Sequence, residues 1–186
     1  MKRLEIMAYT KTIQIDKSKL VIHLTDNARS KWGLEACEKM MQDSLKVLSN
    51  FLFSKNTCLD KKIHQEIEVD LHFCGDKRMR QINSEHRNKD KTTDVLSFPM
   101  YESLRPDSTD FVLPGPVMLG DIIISRNVAR KQAREFNLSL EQEVIHLFCH
   151  GLLHLLGYDH EISEKEEEIM ESLEKEILLK IKKARK

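Results

Sequence analysis

The sequence predicts an α+β fold, a single compact domain with one mixed sheet packed by helices. Three observations predict it. The chain has 186 residues, the size of one domain. Apolar residues alternate in some segments and recur at helical spacing in others, and the two kinds of segment interleave. Capping residues open the helical segments and a glycine closes the central one. Apolar residues make up 40% and charged residues 32%, an ordinary balance for a globular protein.

The first 30 residues are weakly patterned, with strands predicted near 12–15 and 20–24. Residues 35–51 read as an amphipathic helix, because Cys37, Met40, Met41, Leu45, Leu48 and Leu52 recur on one face. Residues 66–73 (EIEVDLHF) alternate and read as a strand. Gly75 turns the chain, and Asp76 is placed to cap a short helix to about Ser84. Residues 94–98 (DVLSF) form a further strand, ended by Pro99. Three prolines (Pro106, Pro114, Pro116) and Gly115 make 101–116 a loop. A strand follows over 117–124, and Ser125 caps a helix to about Phe136. Ser139 with Gln142, and Ser163 with Glu166, match capping boxes for two more helices, the first ending at Gly157.

Lys plus Arg and Asp plus Glu are equal at 30 each, so composition announces no nucleic-acid binder. Any basic surface must come from local segregation of charge. Cys37, Cys58, Cys74 and Cys149 include no C-x-x-C pair, which reads as reduced, mostly buried thiols. The N-terminal stretch MKRLEIMAYTKT fails as a secretory signal, and no run approaches the ~20 apolar residues of a membrane span. The expected location is the cytoplasm, with an organelle interior as the alternative.

From His150 the sequence reads HGLLHLLGYDH. His150 and His154 are four apart on a helix, so both imidazoles share one face. Gly157 lets the chain leave the helix left-handed and return His160 toward them. Three imidazoles are the usual set of a catalytic zinc site with an open fourth position, here a zincin-like site at a helix end. One Zn²⁺ is expected, although imidazole also suits nickel, iron or manganese. His146, one turn earlier, is either a fourth ligand that would close the site or a hydrogen-bonding neighbour of a ligand. Asp159 is either an orienting group or a turn residue. Cys149 points off the face and reads as core.

The spacing matches the metzincin pattern HExxHxxGxxH, but Gly151 stands where the catalytic glutamate belongs. Glycine transfers no proton, so peptide hydrolysis by the usual route is not expected. An anionic substrate such as a phosphodiester becomes more attractive.

HGLLHLLGYDH resembles the signature of the YbeY family of bacterial endoribonucleases, also called rRNA maturation factors. Residues 83–99 (NSEHRNKDKTTDVLSFP) resemble the family's arginine-containing segment followed by T-D-V-L-S-F-P, and 119–125 (LGDIIIS) its L-G-D-I strand. The acidic final helix is also typical. The resemblance covers about 65–180, within one domain taken as 1–186. It implies a zinc ion on His150, His154 and His160 and cleavage of single-stranded RNA. It further implies processing of the 3′ end of small-subunit (16S) rRNA, ribosome quality control, and the ribosome or its small subunit as partner. Arg87 carries over as the motif arginine that contacts RNA or aids cleavage. With His150 it forms the expected catalytic pair.

In the resulting mechanism, single-stranded RNA lies across a basic cleft. A metal-bound water or a substrate 2′-hydroxyl attacks the phosphodiester, and Arg87 steadies charge on the phosphate. Six Lys/Arg against three acids between 76 and 91 supply local charge. Arg126, Arg130 and Arg134 add a helical stripe, which by itself reads better as a solvated face. Eight Glu from Glu161 onward precede a basic C-terminal end, an order that suits the helix dipole. Met170, Leu173, Ile177 and Ile181 form that helix's packing stripe. The alternatives are a ribosome-assembly factor with a structural metal and, against Gly151, a metallopeptidase.

Overall fold

The computed structural model describes residues 9–14, 19–26, 33–108 and 112–185. Among these residues the chain runs β1 (Tyr9–Ile13), β2 (Leu20–Asp26), α1 (Leu34–Leu52), β3 (His64–Cys74) and α2 (Asp76–Arg87). It continues through β4 (Val95–Pro99), β5 (Gly115–Ser125), α3 (Arg126–Glu135), α4 (Leu140–Leu155) and α5 (Glu164–Ala184). The five strands form one sheet in the order β1-β2-β3-β5-β4. The central three are parallel, and the edge strands β1 and β4 are antiparallel to their neighbours. This is the mixed sheet of an α+β domain. The end of the first predicted strand, at Ile15, lies outside the described residues.

Alternation decides which face of the sheet each helix covers. Ile67, Val69, Leu71 and Phe73 of β3, with Ile122 and Ile124 of β5, enter the main core with α1 and α4. Ile123 points the other way and joins Leu96 and Phe98 against Met79 and Ile82 of α2. The six residues that define the stripe of α1 are all buried. Helix α5 packs on α1 and α4 rather than on the sheet, burying Met170, Ile177 and Ile181. Among the described residues no helix is long and apolar enough to cross a membrane.

Three local expectations change. Gly75, not Asp76, is the N-cap of α2. Asp76 is already helical, and its carboxylate accepts from Ser125 Oγ (3.2 Å) and Asn127 Nδ2 (3.1 Å), tying the starts of α2 and α3 together. Helix α2 also runs three residues past Ser84, because Asn88 adopts φ 55 and supplies a left-handed cap. This carries Arg87 to the helix end. Finally, β5 starts at Gly115, inside the predicted loop. Pro116 is tolerated there because β4 pairs only with Gly120–Ile124, leaving that flank of β5 without a ladder partner.

Both bonds of the first capping box form, Gln142 N to Ser139 Oγ (3.3 Å) and Ser139 N to Gln142 Oε1 (2.9 Å). The second forms by half. Ser163 Oγ accepts from Glu166 N at 3.2 Å, while the Glu166 carboxylate turns to Arg105 Nη1 at 2.5 Å. A charged partner outcompetes a backbone N–H for that carboxylate.

Candidate metal centre

Helix α4 carries His150 and His154 and stops one residue after His154. Its end is a Schellman motif: Gly157 N donates to His154 O (3.0 Å) and Tyr158 N to Leu153 O (3.1 Å). Gly157 sits at φ +86, and a Cβ there would come within 2.9 Å of Ser103 Cα, so both conformation and space require glycine. Tyr158 is then buried, its hydroxyl donating to Asn56 O at 2.7 Å. That anchor fixes the return of the chain, and His160 comes back over the helix end.

The three imidazoles converge. Ring centroids are 4.8 Å apart for His150–His154, 5.2 Å for His150–His160 and 5.3 Å for His154–His160. One nitrogen from each lies within 4.8 Å of the others, and the Nε2 atoms of His150 and His154 are 3.2 Å apart. Two nitrogens on one tetrahedral zinc, each bonded at ~2.0–2.1 Å, would stand at about that separation. Burial, and then the charge of His150, pull the His154 imidazole down to about 4, so it is neutral with a lone pair to give. The donor set therefore fits a divalent transition metal.

Around this cluster the structure adds groups that the sequence reading did not single out. Glu174 of α5 accepts from His150 Nδ1 (3.0 Å) and, through its other oxygen, from His146 Nε2 (3.0 Å). Burial alone would raise its carboxyl. The hydrogen bonds from His146 and His150 prevail and hold it at about 2. His146 lies between two carboxylates. The buried Glu143, at an ion-pair separation of 3.6 Å, and the hydrogen-bonded Glu174 push its imidazole up to about 10. His146 thus stands outside the metal-ready triad. Asp159 accepts from Glu161 N (2.9 Å), the turn role, and Cys149 is fully buried in the core. The signal for Glu174 was present in sequence: it lies four residues after Met170 and three before Ile177, an acid on an apolar stripe. Seven other Glu from Glu161 onward masked it.

Position 151 faces the sheet. A Cβ on Gly151 would lie 3.0 Å from both Ile122 Cγ2 and Ser97 Oγ. The missing glutamate is thus a packing requirement, which lets α4 lie close on β4 and β5.

The cluster opens into a cleft of about 790 Å³, lined by His150, His154 and His160, by Ser97 and Tyr158, and by Arg87. Helix α2 delivers Arg87 to this cleft, where its Nη2 donates to Glu161 Oε1 (3.0 Å) and Oε2 (2.9 Å). The cleft is not basic, contrary to expectation. Arg87 is the only Lys or Arg among its described lining residues, against Asp94, Glu102, Asp159 and Glu161. Two of the other predicted cations are paired outside the cleft. Arg80 is paired with Asp90 through two bonds (2.7 and 2.6 Å). Arg126, far from a solvated stripe, is largely buried against Asp26 and Phe73 O.

The described residues bring one other metal-competent group together, Asp70, His72 and Asp121 on the face of the sheet turned away from α4. There His72 Nε2 is paired to Asp121 Oδ1 at 2.9 Å.

Residues 25–182 match the family model described as endoribonuclease YbeY. Among relatives named endoribonuclease YbeY, that of Listeria welshimeri is 41% identical over 149 residues, 78% of this chain and 91% of that protein. That of Aquifex aeolicus is 44% identical over 118 residues, 63% of this chain and 73% of that protein. The Agrobacterium fabrum relative is 49% identical over 112 residues, 60% of this chain and 62% of that protein. A solution structure of a Thermotoga maritima protein shares the fold at 24% identity with a TM-score of 0.50, covering 87% of this chain and 88% of that one. With the family model spanning most of its length, this chain belongs to the endoribonuclease YbeY family.

Proposed function

We propose that this protein is a zinc-dependent endoribonuclease that cleaves single-stranded RNA during rRNA maturation, at the 3′ end of small-subunit rRNA, and in ribosome quality control. Its partners in this reading are rRNA and the small ribosomal subunit, and its location is the cytoplasm. The observation that carries the reading is the convergence of His150, His154 and His160 at the floor of a cleft that also presents Arg87.

His150, His154 and His160 would hold the ion. When bound, it supplies Lewis acidity toward a phosphoryl oxygen and lowers the pKa of water. Arg87, on the rim, grips a non-bridging phosphate oxygen once it leaves Glu161, and its planar fork suits that contact. With glycine at 151, no side chain on α4 beside His150 offers a proton-accepting carboxylate; the attacking group is water or the substrate 2′-hydroxyl. The acids of the cleft also matter. A polyanion is repelled by four carboxylates unless a cation offsets them, so RNA binding itself should depend on the loaded site.

The test is cleavage of single- against double-stranded RNA by metal-quantified protein, with His154→Ala and Arg87→Ala from matched preparations. Single-strand cleavage that His154→Ala abolishes together with metal, and that Arg87→Ala abolishes with metal retained, supports the assignment. Folded, metal-loaded protein that cleaves nothing points instead to a ribosome-assembly factor. Cleavage surviving in both variants overturns the roles given to these residues.

A further inference from the structure

Glu174 sits where a carboxylate is costly. It lies on the packing stripe of α5 between Met170 and Ile177, both buried, and its own side chain is 16% exposed. A charge in such a place must be paired. Among the described residues no lysine or arginine is hydrogen-bonded to it; its partners are two imidazoles of α4, one turn apart, each 3.0 Å from a different oxygen. His150 Nδ1 can satisfy Oε2 only by carrying the proton, since a carboxylate oxygen accepts and does not donate. The other nitrogen, Nε2, is then left with its lone pair, and it is this atom that faces His154 Nε2 at 3.2 Å. Glu174 thereby selects which nitrogen of His150 is available to a metal and holds the ring at that angle. It also sets the local charge. Its carboxylate stands directly behind His150, 3.0 Å from Nδ1, which favours a cation in front of the three histidines.

We propose that Glu174 is a positioning residue for the metal centre, and that through the Glu174–His150 bond the binding of metal is coupled to the docking of α5. This rests on the reading of His150, His154 and His160 as a metal site. The coupling follows from reciprocity: if docked α5 improves the ligand geometry of His150, bound metal must stabilise docked α5 by the same factor. A carboxylate behind a ligating histidine is commonly worth 10- to 100-fold in metal affinity.

The experiment uses the full chain and Zn²⁺ as probe. Zn²⁺ affinity is measured by chelator competition for the wild type, Glu174→Gln and Glu174→Ala. Hydrogen exchange of α5 is followed in each, with and without saturating Zn²⁺. Glu174→Gln keeps the volume and one acceptor, so it remains informative should Glu174→Ala fold poorly. The wild type is expected to bind one Zn²⁺ and to slow exchange across α5 on binding. In Glu174→Ala the affinity falls about 10- to 100-fold, saturating Zn²⁺ no longer protects α5, and Glu174→Gln lies between. In the wild type the imidazole Nδ1–H of His150 is visible by nitrogen NMR before metal is added. Wild-type affinity in both variants, or undiminished Zn²⁺ protection of α5 in them, overturns this inference while leaving the metal site standing. A wild type that binds no Zn²⁺ overturns the metal reading and this inference with it.

Discussion

Arg87 cannot grip a phosphate while its Nη2 serves both oxygens of Glu161. The pair is exposed, 41% and 53%, and such a pair is worth only about 0.2–1 kcal/mol. Substrate can therefore displace Glu161 at small cost, and Glu161→Gln removes that cost together with one cleft acid. The expected result is single-stranded RNA binding tighter by about 1.5- to 5-fold, measured by filter binding at fixed salt. Weaker binding would mean that Glu161 orients Arg87 for substrate rather than competing for it. Gly151 makes the opposite kind of residue-scale statement. Gly151→Glu places in this chain the residue that the metzincin spacing would require, yet a Cβ at 151 already crowds Ile122 and Ser97. The variant is expected to lose about 1–3 kcal/mol in urea denaturation and to gain no peptidase activity. Peptide cleavage by the variant would show that position 151 can reach the metal after all.

Asp94 links elements. It precedes β4, accepts from Val95 N (2.8 Å) and Thr93 Oγ1 (3.0 Å), and takes Gln132 Nε2 of α3 at 2.8 Å. Burial would raise its carboxyl, but the bonds from Gln132, Val95 and Thr93 outweigh burial and hold it below the usual carboxylate range. Because the folded value lies below the unfolded one (~3.9), the stabilisation is complete above the unfolded value and is lost as pH falls through the folded one. Gln132→Leu is expected to reduce stability near neutral pH by about 1.5–3 kcal/mol at most, since Gln132 Oε1 is buried without a partner and its removal gives some of this back. The deficit should shrink in strong acid, where Asp94 is protonated in both proteins. A deficit that stays constant with pH would assign the loss to packing of α3 instead.

At the scale of the whole molecule, the metal-ready triad joins α4 to the segment that leads into α5, and Glu174 closes the circuit from α5 back to α4. An ion held only by the folded state stabilises it by about 2.7 kcal/mol at 100 times Kd. For a chain of this size that corresponds to roughly 5–10 °C in Tm. Chelation is expected to lower Tm by that amount and one equivalent of zinc to restore it, while His154→Ala should be indifferent to both. A chelator-insensitive wild type would separate the three histidines from stability.

Much of this molecule was readable along the chain because the determining interactions are local. Helix periodicity, the Ser139–Gln142 box and the left-handed exit at Gly157 involve residues within a few positions of one another, so the sequence by itself determined α4, its end and the return of His160. The α+β class followed from the same alternation of periods. What it could not determine depends on pairs far apart. Asn88 extended α2 and carried Arg87 into the cleft, but that Glu161 would meet it there is a contact across 74 positions. Arg126 looked like one member of a stripe until Asp26, 100 positions away, was found to take it inward. Glu174 was one acid among eight until the docking of α5 put it behind His150. Charge in a sequence is only potential; which carboxylate neutralises which cation, and so whether a cleft is basic, is decided when tertiary packing brings distant side chains within hydrogen-bonding reach.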